Sequence, residues 1–274
     1  MAIGKLYTPA GGGGGDEPVK LLNETGAGSA LMAFSVRKLR DAYTGAALRV
    51  RRASDNDEAD IFFEGEDLNI DQLESFCSGT NGFVTTWYDQ SGNGHDFTRG
   101  TASAQPQIVS SGSAILENGE VAMQFDGTSD SLLNTDTIKA TASDYSVSAV
   151  HNRSDTTGYL FDTLTGRLIF DNPNTGFWGT TVWHGAGYTH AGQTHILMRI
   201  LGAGGEARKD GASIATGVTY NQRGISGQQA IGSVYTGGGS RIAGTIQEFI
   251  VWDADKNSAV STIETNVNNY FNVY

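Results

Sequence analysis

The sequence predicts a mainly β protein: two packed antiparallel sheets, a few short helices and an extended N-terminal arm. Three observations carry this. The 274 residues include 37 glycines against 4 prolines, with abundant Ser and Thr, a mix suited to short strands joined by tight turns. Beyond residue 95 the chain is almost entirely alternating strand-like runs and turn residues, the spacing of a sandwich. Asn118-Gly119 is the preferred centre of a two-residue hairpin turn. A chain of this length buries a sizeable core.

Residues 1–28 read as the arm. Ile3 to Pro9 is mildly apolar, and Gly11 to Gly15 are five consecutive glycines, which hold neither a helix nor a core and act as a tether. Ile3, Leu6 and Tyr7 are larger than a solvated tail needs and are the candidate anchor. The body is expected over 29–274. Ser29 can cap a helix through Leu31, Phe34, Val36, Leu39 and Tyr43, stopped by Gly45. Residues 48–52 alternate as a strand with Leu48 and Val50 inward and Arg49 and Arg51 outward, and 61–63 is its partner. A short helix is expected over 71–76. Further strands are expected at 145–150, 159–162, 167–170, 194–201, 231–233 and 246–252.

The formal charge is −12, which repels phosphates and argues against nucleic acid as a partner. Six of the 18 basic residues fall between Arg37 and Arg52, and seven acidic ones follow from Asp55 to Asp67. The two runs are expected to neutralise each other; a basic patch for an acidic partner is the alternative. No stretch approaches the roughly 18–20 apolar residues of a membrane span, so no membrane partner is expected. Met1 to Lys5 lacks a cationic lead into an apolar run, and Cys77 is the single cysteine, so cytoplasmic synthesis without disulfides is expected.

The most distinctive stretch is Trp87-Tyr88-Asp89-Gln90-Ser91-Gly92-Asn93-Gly94-His95, a strand end followed by a turn whose Asp, Ser and Asn can bond nearby backbone N–H groups. Upstream, in order, lie Arg37-Lys38-Leu39-Arg40-Asp41-Ala42-Tyr43-Thr44-Gly45, Leu48 to Asp55, and Ser75-Phe76-Cys77-Ser78-Gly79. These blocks resemble the start of the catalytic domain of the fungal arabinofuranosidase B family, and the similarity covers about residues 29–130. The resemblance implies a concanavalin A-like jelly roll. Gly244 to Trp252 and the tail Asn269-Tyr270-Phe271 resemble the end of laminin-G-like and concanavalin A-like domains, and Lys209 to Ala212 a laminin-G-like hairpin tip.

The resemblance raises glycoside hydrolysis, which needs two carboxylates about 5–9 Å apart. Glu117-Asn118-Gly119 echoes the family's nucleophile setting but falls too early, at a hairpin tip. The family's second cysteine, five positions after the one matching Cys77, is Gly82 here, and its neighbouring-cysteine pair is absent. No catalytic residue is assigned on these grounds. Trp178, Trp183, His184 and Tyr188 form a candidate glycan-stacking cluster, against a core or interface role. Asp55, Asp57 and Asp60 form either a Ca²⁺ site or, as expected here, an acidic hairpin loop. No metal and no cofactor is expected.

Similar domains recur among tailed-phage virion proteins. From that association the expected function is non-enzymatic: a capsid decoration or head/tail fibre component. It would reside in the virion, be anchored by its arm to a major capsid or tail protein, and form homo-oligomers, taken as trimers. A host-glycan-binding module is the first alternative and an arabinofuranosidase-like hydrolase the second.

Overall fold

The computed structural model describes residues 19–154, 158–164, 176–179, 182–185, 192–220, 222 and 224–274. It is mainly β, every strand pairing is antiparallel, and helices are few, consistent with a β-sandwich. Leaving aside five two-residue strands between residues 63 and 121, the strands are β1 (Met32–Ser35), β2 (Leu48–Arg52), β3 (Glu58–Ile61), β4 (Gly82–Trp87), β5 (Phe97–Thr98), β6 (Gln107–Ser110), β7 (Met123–Asp126), β8 (Leu132–Asn134), β9 (Tyr145–Arg153), β10 (Phe161–Thr163), β11 (Gly176–Gly179), β12 (Val182–Gly185), β13 (Gln193–Ile200), β14 (Gly205–Lys209), β15 (Ala212–Val218), β16 (Gln229–Ile231) and β17 (Ala243–Trp252). One hydrogen-bonded ladder runs β10-β16-β8-β5-β4-β6-β7-β17-β9-β13-β14-β15, with β1 added to β17 and β2–β3 to β4.

β17 is the spine. Its last eight residues are buried, and it pairs with β1, β7 and β9. A bulge between Val150 and His151 shifts its register with β9. Beyond the bulge, Gly244 has φ 142°, and a Cβ there would stand 2.0 Å from the Asn152 carbonyl oxygen, so only glycine fits. Around the spine an aromatic chain fills the interior. Trp87 and Phe97 pack on Phe34 at 5.5 and 5.2 Å, Phe97 on Phe161 at 6.2 Å, and Phe161 on Phe249 at 4.9 Å. Helix α2 (Val260–Phe271) buries Ile263, Val267 and Phe271 and ends on Asn272 in the left-handed conformation.

The expected helix over 29–45 is instead strand β1, all four of its residues buried. A segment covered on both faces loses the polar/apolar alternation that marks a strand, so its apolar run is indistinguishable from a helix by period alone. Ser29, the expected cap, sits at φ 53°. The strand expected over 61–63 is β3, ending at Ile61 opposite Leu48. The helix expected at 71–76 is α1 (Ile70–Phe76), capped by Asn69, whose side chain accepts from the Gln72 N–H. Both hairpin tips hold: Glu117 faces Glu120 across Asn118-Gly119, and Lys209 faces Ala212 across Asp210-Gly211. Leu21, within the expected arm, is fully buried in the core. Ile3, Leu6, Tyr7, Tyr188 and the strand expected at 167–170 lie outside the described residues.

Candidate active site

The Asp89 loop is a clasp. β1 bonds β17 on one edge, and the loop closes the other. The Asp89 Oδ1 accepts the Ala33 N–H at 2.9 Å and the Ser91 N–H at 2.9 Å; its Oδ2 accepts the Ser91 hydroxyl at 2.7 Å and the His95 N–H at 3.1 Å. Gln90, fully buried, donates its N–H to Ala33 O, accepts from Leu39 N, and gives its amide to Ser35 O and Arg37 O. Asn93 donates to Ala30 O and Leu31 O. Side chains thus do what a neighbouring strand would do, satisfying backbone groups that otherwise would be buried unpaired. The most distinctive motif of the sequence therefore builds the fold. Beside it opens a cleft of about 370 Å³ whose lining includes Asn23, Ser29, Arg40 and Asn93.

A second polar assembly crosses the core. Arg37 Nε donates to the Glu248 carboxylate at 2.8 Å, with Ser35 Oγ on the same oxygen at 2.9 Å and Arg37 Nη1 on Asn266 Oδ1 at 2.8 Å. Both charged groups are buried, and the guanidinium stacks on Tyr270 and Phe271 at 5.0 and 5.3 Å. This assembly joins β1, β17 and α2. It has no open face for a substrate, and its role is architectural.

A third cluster sits where β7 turns into β8. Asp126 accepts the N–H groups of Thr128, Ser129 and Asp130 and the Ser129 hydroxyl at 2.7–3.0 Å. Burial opposes its charge, but these donors hold its carboxyl well below the usual range. Asp130, whose Oδ2 accepts the Asp126 N–H at 3.0 Å, is pushed up to about 7 by burial and by the Asp126 charge. Among the described residues it is the carboxyl pushed up furthest; Glu66 and Asp96 are raised too, chiefly by burial. Arg241 donates to Asp130 O at 3.2 Å and also to Ser129 O and Gly237 O. Sequence reading passed over Asp130 because nothing in Phe125-Asp126-Gly127-Thr128-Ser129-Asp130 distinguishes a turn from a carboxyl pair with divergent environments.

Glu117 lies at its hairpin, its carboxylate 3.3 Å from Thr245 Oγ1, while neighbouring Asn118 donates to Phe271 O and Asn272 O and so ties the hairpin to the end of α2. Trp178 and Trp183 are register partners in the β11–β12 hairpin, as are Phe177 and His184. The basic and acidic runs pair: Arg49 with Asp60 at 2.8 Å, Arg52 with Asp55 and Asp57 at 2.7 and 3.1 Å. Asp60 also takes the Tyr88 hydroxyl, which burial and that carboxylate push up to about 12. These acids are spent on arginines. Cys77 is buried in the core, its thiol pushed up by burial, as a small apolar residue would be.

Comparison with known proteins bears on what this scaffold does. Residues 21–158 match the family model described as α-L-arabinofuranosidase B, catalytic. The α-L-arabinofuranosidase B of Penicillium canescens is 37% identical over 67 residues, 24% of this chain and 14% of that protein; the Aspergillus oryzae enzyme is 39% identical over 67 residues, 13% of its length. A solved GH54 α-L-arabinofuranosidase soaked with a cyclic sulfate inhibitor superposes with a TM-score of 0.71 at 15% identity, covering 90% of this chain and 64% of that one. An arabinofuranosidase complexed with arabinofuranosyl-α-1,2-xylobiose gives 0.69 at 17% identity, over 87% and 62%. At such identities these structures speak to the fold, and the chain spans less than two thirds of each. The findings overturn the virion reading: the expected structural, non-enzymatic role and virion location give way to a family of glycoside hydrolases whose named relatives are fungal enzymes. With half of its length matched to that model, the chain belongs to the α-L-arabinofuranosidase B catalytic-domain family.

Proposed function

We propose that this chain is an arabinofuranoside-cleaving glycoside hydrolase domain on a concanavalin A-like jelly roll of two stacked sheets. The observation that carries the reading is the family match over residues 21–158, and the fold likeness over 90% of the chain supports it. Hydrolysis of a glycosidic bond needs a carboxylic acid still protonated near working pH to release the leaving oxygen, and a carboxylate opposite it. Asp130 has the first property, and its environment differs from that of Asp126 as acid and base environments must. Asp126 itself is consumed by its own turn, so the opposed carboxylate lies elsewhere. Trp178 and Trp183 are the residue types that stack on sugar faces, and the reading places substrate against their hairpin.

The test is turnover of 4-nitrophenyl α-L-arabinofuranoside by the wild-type chain. Asp130→Asn should lower kcat on arabinofuranosyl-xylobiose by roughly 10²–10⁴-fold. It should lower kcat far less on the nitrophenyl substrate, whose leaving group needs little proton donation. Equal losses on both substrates would remove Asp130 from the role, and no turnover of either by wild type would end the proposal.

A further inference from the structure

Arg99 is unlike five other arginines of the chain. Arg37, Arg49, Arg52, Arg199 and Arg208 pair with carboxylates. Arg99 makes no ion pair among the described residues, and its buried Nε has no hydrogen-bond partner. Its far end reaches Gly237, where a Cβ would stand 3.1 Å from Nη1. Arg241 reaches the same residue, donating Nη2 to the Gly237 carbonyl. Its other contacts among the described residues are also carbonyls, Ser129 O and Asp130 O, so no ion pair there neutralises its charge. Two guanidiniums therefore converge on one glycine of the turn Thr236-Gly237-Gly238-Gly239-Ser240. Burial and the Arg241 charge together lower the Arg99 pKa, the cost of keeping like charges together.

Asp130 is the carboxyl that acts on both guanidiniums. With Asp130 protonated, as the hydrolase reading requires, both guanidiniums keep their charge for an incoming anion. A guanidinium's planar fork of donors matches a carboxylate. Gly238 and Gly239 are exposed, and a Cβ at Gly239 would meet nothing within 4 Å, so the mouth of the turn is open.

We propose that Arg99 and Arg241 form a subsite for a carboxylate carried on a sugar, a uronic acid unit of an arabinose-bearing chain. This rests on the hydrolase reading, because the turn adjoins Asp130 and one saccharide chain would reach both. The subsite makes the domain selective for acidic over neutral oligosaccharides, and its affinity falls as salt rises.

Calorimetric titration of the full chain at low salt tests it, with trigalacturonate, arabinotriose and sodium phosphate as probes. Trigalacturonate should bind more tightly than arabinotriose, and Arg99→Gln should weaken it roughly tenfold or more, leaving Tm within the wild-type range. Arg99→Lys, which keeps the charge without the fork, should fall between the two. Unchanged trigalacturonate affinity in Arg99→Gln would overturn the subsite, as would phosphate binding as tightly as trigalacturonate. Turnover of the neutral nitrophenyl arabinofuranoside is read separately. Turnover without Arg99-dependent binding removes the subsite alone, and binding without turnover removes the hydrolase reading alone.

Discussion

Replacing Asp89 with alanine strikes the clasp at its centre. The carboxylate accepts four hydrogen bonds, and the consequences of losing each can be separated. The Ser91 hydroxyl can turn to Leu31 O, 3.3 Å away, and the His95 N–H is partly exposed, so both find substitutes. The N–H groups of Ala33 and Ser91 belong to buried residues and have no other acceptor to turn to. An orphaned buried donor costs about 1–3 kcal/mol, so Asp89→Ala should destabilise by about 2–6 kcal/mol. Asp89→Asn keeps one acceptor oxygen for Ala33 and Ser91 but turns an NH₂ toward the His95 N–H, and should cost about 1–2 kcal/mol. Urea unfolding followed by far-UV circular dichroism measures both. A loss under about 1 kcal/mol for Asp89→Ala would show that water or a shifted loop satisfies β1, and the clasp argument would fall.

Glu248→Ala leaves Arg37 in the core with Glu66 alone, 3.6 Å away, and should cost about 3–5 kcal/mol, whereas a paired Arg37→Met, Glu248→Leu variant should recover most of it; denaturant midpoints of the three chains decide. A Cβ at Gly82 would lie 2.6 Å from Cys77 Sγ, so Gly82→Cys should close a disulfide under oxidation, lost on reduction and read by thiol titration. Loop-closure entropy for so short a ring favours the crosslinked form by about 2 kcal/mol, less whatever crowding against Val109 takes back. Buried His195 is pushed down to about 3 by burial, with Arg37 and Arg208 adding to it. The unfolded imidazole, near its usual 6.5, takes up its proton first, so stability is lost as pH falls from about 6.5 toward 3. His195→Gln, which can still bond the Ser148 hydroxyl, should flatten that part of the stability–pH curve relative to wild type.

Much of the architecture was legible because its signals are local. Asn118-Gly119, Asp210-Gly211, the 48–52 alternation and the Asn69-capped helix all depend on residues a few positions apart. β1 was not legible, since what makes it a strand is β17, more than 200 residues away, and the Asp89 loop. The Asp89 motif stood out for a physical reason, its many side-chain-to-backbone bonds, but their destination on β1 is a tertiary fact. The charge runs neutralise each other in part: Arg49 and Arg52 pair with Asp60, Asp55 and Asp57 because hairpin neighbours in sequence are neighbours in space, whereas Arg40 and Arg51 bond neutral groups. The candidate site was least visible: Arg99, Asp130, Gly237 and Arg241 meet only through β5, β7, β8 and the turn before β17. The virion reading failed differently, because it rested on where similar domains recur and on no residue's chemistry.

The most direct test of the account is release of free arabinose from arabinofuranosyl-xylobiose by the purified chain, followed by chromatography over time. Catalytic release is expected, with many turnovers per chain, and it should collapse in Asp130→Asn. Binding of the trisaccharide with no arabinose released would contradict it and leave a sugar-binding domain on a hydrolase scaffold.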